Sequence, residues 1–179
     1  MSKQYTNASL DFLVNPEIYE VNRLEAYSDH KYYRNVEEAK GLSKMNDRHS
    51  LNGSWKFSFA KNPNSRIVDF YKKEYDVTGW DTIQVPGHIQ LQGYDKPHYV
   101  NKMYPWDGHN NIIPPEIPQD YNPVGSYVRY FTIPEDWGNS PVYISFQGVE
   151  SAFYLWINGK FVGYSEDTFT PSDFDITSY

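Results

Sequence analysis

Hydrophobic and polar side chains alternate along several short stretches of this chain. The clearest case follows Ser54, where Trp55, Phe57 and Phe59 are separated by polar residues. A repeat of two is typical of a β-strand that buries one face. The same reasoning predicts strands at residues 82–85, 127–133, 142–146, 152–157 and 160–164. The chain is therefore predicted to be all-β.

The last two of these strands are joined by the dipeptide Asn158-Gly159. A type I′ turn places both of its central residues at positive φ, which Asn and Gly tolerate better than other residues do. Aromatic and β-branched residues fill the runs on either side of the turn. The pattern predicts a tight β-hairpin.

The first 45 residues differ from the rest, because their apolar residues are sparse and follow neither a strand nor a helix period. We expect an extended N-terminal arm over residues 1–45 and one domain over residues 46–179. A short helix is predicted within the arm, with Asn35 as its N-cap and Gly41 after its end. In this capping box the Glu38 side chain reaches back to the Asn35 backbone amide.

A long connection runs from about residue 86 to residue 125 and includes Pro114-Pro115. Loops of this length without regular structure are uncommon in compact domains unless they serve a function. This loop is therefore where a binding site is sought first.

Composition narrows the class of protein. A chain of 179 residues fits one domain, and its 18% aromatic content with frequent Pro and Gly favours a β-sandwich. The net charge of −7 and the lack of a basic cluster argue against a nucleic-acid partner. Neither a secretory signal nor an apolar stretch long enough to span a membrane is visible. We expect a cytoplasmic protein without disulfides, since it has no cysteine.

Two pairs of acids, Glu166-Asp167 and Asp173/Asp175, are the first candidates for general acid–base chemistry. Neighbouring residues of a strand point to opposite faces, and Asp residues near turns usually cap backbone amides. We therefore assign no catalytic residue. The histidines lack the spacing of metal ligands, so no metal ligand is assigned either; they are His30, His49, His88, His98 and His109.

The hairpin and five further blocks carry a family resemblance. In order and spacing they resemble the N-terminal jelly-roll domain of the β-galactosidases of glycoside hydrolase family 2. The blocks are VNRL (21–24), SLNGSWKF (50–57), VPGHIQLQGY (85–94), YVNKMYPWDG (99–108), VGSY (124–127) and the hairpin region 148–175. The resemblance implies a jelly-roll β-sandwich of the galactose-binding type. The domain continues beyond the last block in that family, so we expect this jelly roll to be incomplete at Tyr179.

The resemblance also implies a role for Asn101, which matches the family's substrate-contacting Asn in the Y-N--YP pattern. An amide donates and accepts hydrogen bonds, as sugar hydroxyls do. The alternative is that Asn101 holds the loop through bonds to the backbone. The aromatic residues Tyr99, Tyr104 and Trp106 either stack on a sugar ring or anchor the loop, and anchoring is favoured for the last two.

The implied whole protein is a β-galactosidase that acts on lactose-like β-galactosides by a retaining mechanism, with catalytic glutamates outside this chain. Magnesium and sodium, the remaining domains of the enzyme and a homo-oligomeric assembly are implied partners. Two alternatives stay open, because fold alone does not define function. One is a stand-alone carbohydrate-binding module, and the other is a domain that serves only structural or subunit contacts.

Overall fold

A computed structural model describes residues 5–28, 31–41, 47–97, 106 and 111–179. Within these ranges the chain forms eight β-strands, one α-helix and four short 3-10 helices. The strands are β1 (Glu20–Val21), β2 (Gly53–Ala60), β3 (Asp81–Val85), β4 (Val124–Val128), β5 (Tyr143–Phe146), β6 (Phe153–Ile157), β7 (Lys160–Ser165) and β8 (Ser172–Asp175). The helices are α1 (Val36–Gly41) and the 3-10 segments Leu10–Val14, Pro63–Ser65, Ile89–Gln92 and Glu135–Trp137.

All strand pairs are antiparallel and form three small sheets, in the orders β1-β7-β6, β3-β2-β4 and β5-β8. The all-β architecture predicted from the sequence is confirmed. Four of the predicted strands, now β3, β5, β6 and β7, occur within one residue of their predicted bounds, and the alternation from Trp55 to Phe59 lies within β2. No helix of the described ranges has the length and apolar character needed to cross a membrane.

The alternation in β2 buries Phe57, which is 1% exposed and packs edge-on against the rings of Tyr94 and Tyr127. The strand predicted over 127–133 was wrong in its bounds, because β4 pairs with β2 only as far as Val128 opposite Lys56. Beyond that pair, the Ser54 carbonyl accepts a hydrogen bond from the Arg129 guanidinium (2.6 Å). The residues after Val128 therefore leave the ladder.

The predicted hairpin is confirmed. Asn158 and Gly159 have φ angles of 52° and 85°, and Ile157 pairs with Lys160 across the two-residue turn. A register shift follows, since Trp156 pairs with Phe161 but Leu155 pairs with Gly163. The bulge leaves Val162 as the extra residue of β7, and its side chain is buried in the core.

The main apolar core lies between the β6-β7 hairpin and the β5-β8 sheet. Its buried members are Ile144, Leu155, Val162, Phe174 and Ile176. Phe174 of β8 is fully buried, although β8 carries no alternation that predicted a strand. Side chains from two facing antiparallel sheets fill one core, which is the packing of a β-sandwich.

The N-terminal segment packs on this sandwich. Phe12 and Val21 are buried against Tyr164 of β7, and β1 pairs with the outer edge of β7. The Leu24 amide also donates to the Asp173 carbonyl at 2.8 Å. Thus part of the predicted arm contributes to the core, while the boundary at residue 45 stays a prediction.

Helix α1 has the predicted N-cap, because the Asn35 side chain accepts from the Glu38 amide at 2.9 Å. The return half of the capping box is displaced by one residue. The Glu38 carboxylate accepts from the Arg34 amide rather than from the Asn35 amide. Arg34 also pairs with Asp47, beyond the helix.

Candidate functional site

The long loop predicted to carry a binding site begins at the end of β3, where it is fixed by one glutamine. The Gln92 side chain accepts from the Gln84 amide (2.8 Å) and donates to the Gln84 carbonyl (3.0 Å). The amide group thus pairs with the edge of β3 as another strand would. Just after it, the Tyr94 ring packs on Phe57, so the first part of the loop is held against the core.

The far part of the loop is tied back to this entry through Tyr121. Its hydroxyl donates to the Asp95 carboxylate, which also accepts from Gln90 at 3.3 Å. The hydrogen bond to Asp95 is the main cause that raises the pKa of Tyr121 to about 12, so the phenol keeps its proton near neutral pH. The Tyr121 carbonyl in turn accepts from the indole Nε1 of Trp106 at 2.9 Å.

We call Gln90, Asp95, Trp106 and Tyr121 the loop anchor. Trp106 is half-buried and has a φ of 70°, a conformation that a residue other than glycine rarely adopts. Its bond to Tyr121 favours the anchoring interpretation of this residue over sugar stacking. The exit of the loop is held as well, since Asn122 donates to the Lys61 carbonyl at 2.8 Å.

Asn101 itself lies outside the described residues, and so do Tyr99, Tyr104, His98 and His109. In the sequence, residues of the loop anchor lie on both sides of these five residues. Asp95 precedes this segment, Tyr121 follows it, and Trp106 lies within it. The role of Asn101 therefore stays a prediction, whereas the fixed frame from which the segment departs is a structural observation.

Each acidic residue of the two pairs after the hairpin accepts at least one internal hydrogen bond, although Asp173 Oδ1 is buried without a partner in the part of the chain that the structure describes. Asp175 accepts from the Thr177 amide and hydroxyl, as the capping interpretation predicted. Glu166 and Asp173 instead accept from the phenols of Tyr164 and Tyr27. Burial and the bond to Glu166 raise the pKa of Tyr164 far above its ordinary value.

Asp167 is the centre of a cluster that sequence reasoning missed. Its carboxylate accepts from the Phe169 amide (2.9 Å), from the Thr170 amide (3.1 Å) and from the Thr170 hydroxyl. The Arg23 guanidinium lies 3.2 Å from the same carboxylate, and its side chain is only 4% exposed. The hydroxyl of Thr170 is the largest cause of the lowered pKa of Asp167, and Arg23 adds to it.

Arg23 also donates to the Thr170 hydroxyl (2.6 Å) and to the Pro171 carbonyl (3.0 Å). We call Arg23 with Asp167, Thr170 and Pro171 the arginine clamp. It joins the N-terminal segment to the connection between β7 and β8. The VNRL block contained this arginine, but nothing in the sequence paired it with a residue more than 140 positions away.

The described part of the chain contains no group of three or more His, Asp or Glu residues able to hold a metal ion. His88 lies on the surface, with Nδ1 4.0 Å from a Glu150 carboxylate oxygen. The described residues therefore offer no donor set that matches the magnesium and sodium implied by the resemblance.

Residues 48–179 match the sequence profile described as glycosyl hydrolases family 2, sugar binding domain. The match spans most of the chain and the whole sandwich from β2 to β8. The chain therefore belongs to this family of domains.

Individual relatives agree with this assignment. Over 97% of its length the chain is 61% identical to a protein of Halalkalibacterium halodurans named beta-galactosidase. A beta-galactosidase of Clostridium acetobutylicum is 57% identical over 96% of the chain, and a beta-galactosidase large subunit of Leuconostoc lactis is 47% identical over 96%. The chain spans only 17%, 19% and 29% of the lengths of these three relatives.

Proposed function

We propose that this chain is the N-terminal domain of a β-galactosidase that hydrolyses terminal β-D-galactosides such as lactose. The observation that carries the proposal is the 61% identity, over nearly the whole chain, to a protein named beta-galactosidase. The small share of each relative that is matched favours a domain of a larger enzyme over a stand-alone module.

A retaining glycosidase needs two carboxyl groups about 5 to 5.5 Å apart, one as nucleophile and one as acid and base. In the proposal both belong to glutamates outside this chain. Asp167 and Asp175 are committed to turns in the structure, and Glu166 and Asp173 to tyrosines. The task of this domain is then to support the enzyme and to contribute one loop to the galactose site.

In this proposal Asn101 is the substrate-binding residue of that loop. Its amide can donate to one sugar hydroxyl and accept from another. The loop anchor supports the proposal, because binding residues are most effective on a loop whose supporting residues are held in place. Asp95 and Tyr121 bridge the chain on either side of the segment that contains Asn101.

Three further features belong to the proposal through the family resemblance. The complete enzyme uses magnesium and sodium, with ligands outside this chain. It acts in the cytoplasm, and it assembles as a homo-oligomer. Metal analysis and light scattering of the complete enzyme test the first and third of these statements directly.

The role of Asn101 is tested by Asn101→Ala in the complete enzyme, with Asn111→Ala as the matched control. Asn111 is an exposed amide of the same loop. Losing one or two neutral hydrogen bonds of about 0.5 to 1.5 kcal/mol each lowers kcat/KM by roughly 2- to 150-fold. The control should keep the kcat/KM of the parent enzyme.

Thermal unfolding separates the two interpretations of Asn101. A substrate-binding amide changes kcat/KM and galactose inhibition while Tm stays constant. A loop-holding amide lowers Tm and leaves the surviving activity with its normal affinity for galactose. An unchanged kcat/KM in Asn101→Ala would rule out the substrate role.

The isolated chain is expected to leave a chromogenic β-galactoside intact, because neither acidic pair after the hairpin is free to act as nucleophile and acid. Turnover by the purified chain that disappears on mutating one of its own acids would contradict the proposal. Calorimetric titration with galactose tests the module alternative. Binding by the isolated chain alone would favour it.

A further inference from the structure

The connection between β7 and β8 exposes one aromatic ring almost completely. Phe169 is 93% exposed and stands at the tip of a turn formed by residues 167–170. No other large apolar side chain of the described ranges is more exposed; the next are Leu91 at 78% and Ile113 at 73%. An exposed apolar side chain is common on its own and needs a second observation before it carries meaning.

The second observation is that several hydrogen bonds hold this turn. Asp167 accepts from the backbone amides of Phe169 and Thr170, and the arginine clamp fixes the Thr170 hydroxyl and the Pro171 carbonyl. The base of the turn is fixed too, since the Glu166 amide donates to the Tyr19 carbonyl at 3.0 Å. The ring is therefore presented on a backbone that is already ordered.

Burying the Arg23 side chain removes a cation from water, and only part of this cost is offset, because the terminal nitrogens are hydrogen-bonded while Nε is buried without a partner among the described residues. These hydrogen bonds fix the turn, yet the ring of Phe169 at its tip packs on none of the described residues to any large extent. Aromatic side chains that fill a pocket contribute much of the binding energy of protein interfaces. An anchor that is already ordered binds more tightly, because little conformational entropy remains to be lost on binding. The clamp thus indicates an interface.

The remaining question is what covers the ring. The chain spans 17% of the length of a 61% identical relative, so most of the surface available to this domain belongs to the rest of such a polypeptide. A tethered partner is also present at high effective concentration. At the base of the turn, Tyr19 is a second exposed aromatic residue, with 59% of it accessible to solvent.

We propose that Phe169 is a preordered anchor that inserts into an apolar recess of the remaining part of the same polypeptide. The inference rests on the multidomain part of the proposed function, and it does not depend on the reaction that the enzyme catalyses. Asp167 and Arg23 are positioning residues for this anchor, because they fix the turn that presents the ring.

Hydroxyl-radical footprinting of the complete enzyme with mass spectrometry tests the proposal. The oxidation rate of Phe169 in the urea-unfolded enzyme serves as the reference for a fully exposed ring. This domain alone gives almost no protection, because the ring is 93% exposed, so any protection comes from outside it. Oxidation of Phe169 in the native enzyme is expected to be clearly slower than in the unfolded enzyme, because an interface anchor is shielded from water.

An oxidation rate close to that of the unfolded enzyme would overturn the proposal. Protection that disappears when the enzyme is diluted until its subunits separate would also overturn it, because a second copy would then cover the ring. The readout needs no substrate. A failure of the proposed β-galactosidase activity is therefore distinguishable from a failure of this inference.

A pair of variants of the complete enzyme provides an independent test. Phe169→Ser is expected to lower Tm, whereas Leu91→Ser, which changes a comparably exposed apolar residue without an arginine clamp, should leave Tm close to that of the parent. Equal effects of the two substitutions would contradict a special role for the clamped ring.

Discussion

Gly163 lies where the N-terminal segment and the core leave no room for a side chain. A methyl group added there would lie 2.4 Å from the Val21 carbonyl oxygen and 2.5 Å from a carbon of the Phe174 ring. Val21 belongs to β1, which is hydrogen-bonded to β7, and Phe174 is fully buried. Neither neighbour is the free end of a flexible side chain, so Gly163→Ala must displace a strand or the core.

The expected cost follows from overpacking. Forcing an extra methyl group into a well-packed core destabilises a protein by about 1 to 3 kcal/mol. For a domain of this size, each kcal/mol shifts Tm by about 2 to 4 °C. The backbone at Gly163 has no positive φ, so the loss is steric and carries no contribution from backbone strain.

Gly79→Ala is the matched control, because a methyl group there meets nothing within 4 Å and the backbone has no positive φ. Where the conformation is compatible, Gly→Ala reduces the entropy of the unfolded chain and stabilises by about 0.4 to 1 kcal/mol. Urea unfolding followed by tryptophan fluorescence measures both variants. If Gly163→Ala unfolds at the same urea concentration as Gly79→Ala, the packing described for β1, β7 and β8 is wrong.

Two predictions concern pH. The pKa of Asp167 is lowered in the folded chain, first by the Thr170 hydroxyl, so its contribution to stability is present above its ordinary pKa and is lost as pH falls below about 4. Asp167→Asn should therefore flatten the acid side of a plot of unfolding free energy against pH, and an unchanged slope would contradict this. Burial raises the pKa of Tyr154 and Tyr164 well above 10. Their contribution to the free energy of unfolding is therefore fully present below about pH 10 and is lost at higher pH. Absorbance at alkaline pH should show these two phenols ionising only when the chain unfolds, whereas early ionisation of every tyrosine would disprove their burial.

Local patterns were sufficient to predict the hairpin and most strands. The alternation in β2 and the Asn158-Gly159 turn depend on residues that are adjacent in sequence, and such signals survive without knowledge of the fold. The helix cap at Asn35 is another local feature, although the partner of Glu38 is one residue away from the expected one.

The structure differed from prediction where pairing is non-local. β1 has two residues and is a strand only because β7, more than 140 positions later, accepts it. β8 has no alternation because both of its faces and an edge are covered, which buries Asp173 beside Phe174. β4 ends at Val128 although its partner β2 continues to Gly53, and the Ser54 carbonyl of β2 accepts from the Arg129 side chain instead; the residues of β4 do not reveal this limit.

For the candidate site the division is similar. The sequence by itself determined an antiparallel β fold, the position of the long loop and, through resemblance, the choice of Asn101. Only the tertiary structure decided that Tyr121 ties the loop back to Asp95 and that Arg23 is buried against Asp167. The physical reason is that an isolated hydroxyl, carboxylate or guanidinium has no preferred partner in the sequence. The partner is selected during folding, when the group leaves water and must form its hydrogen bond with whichever polar group the fold has placed beside it.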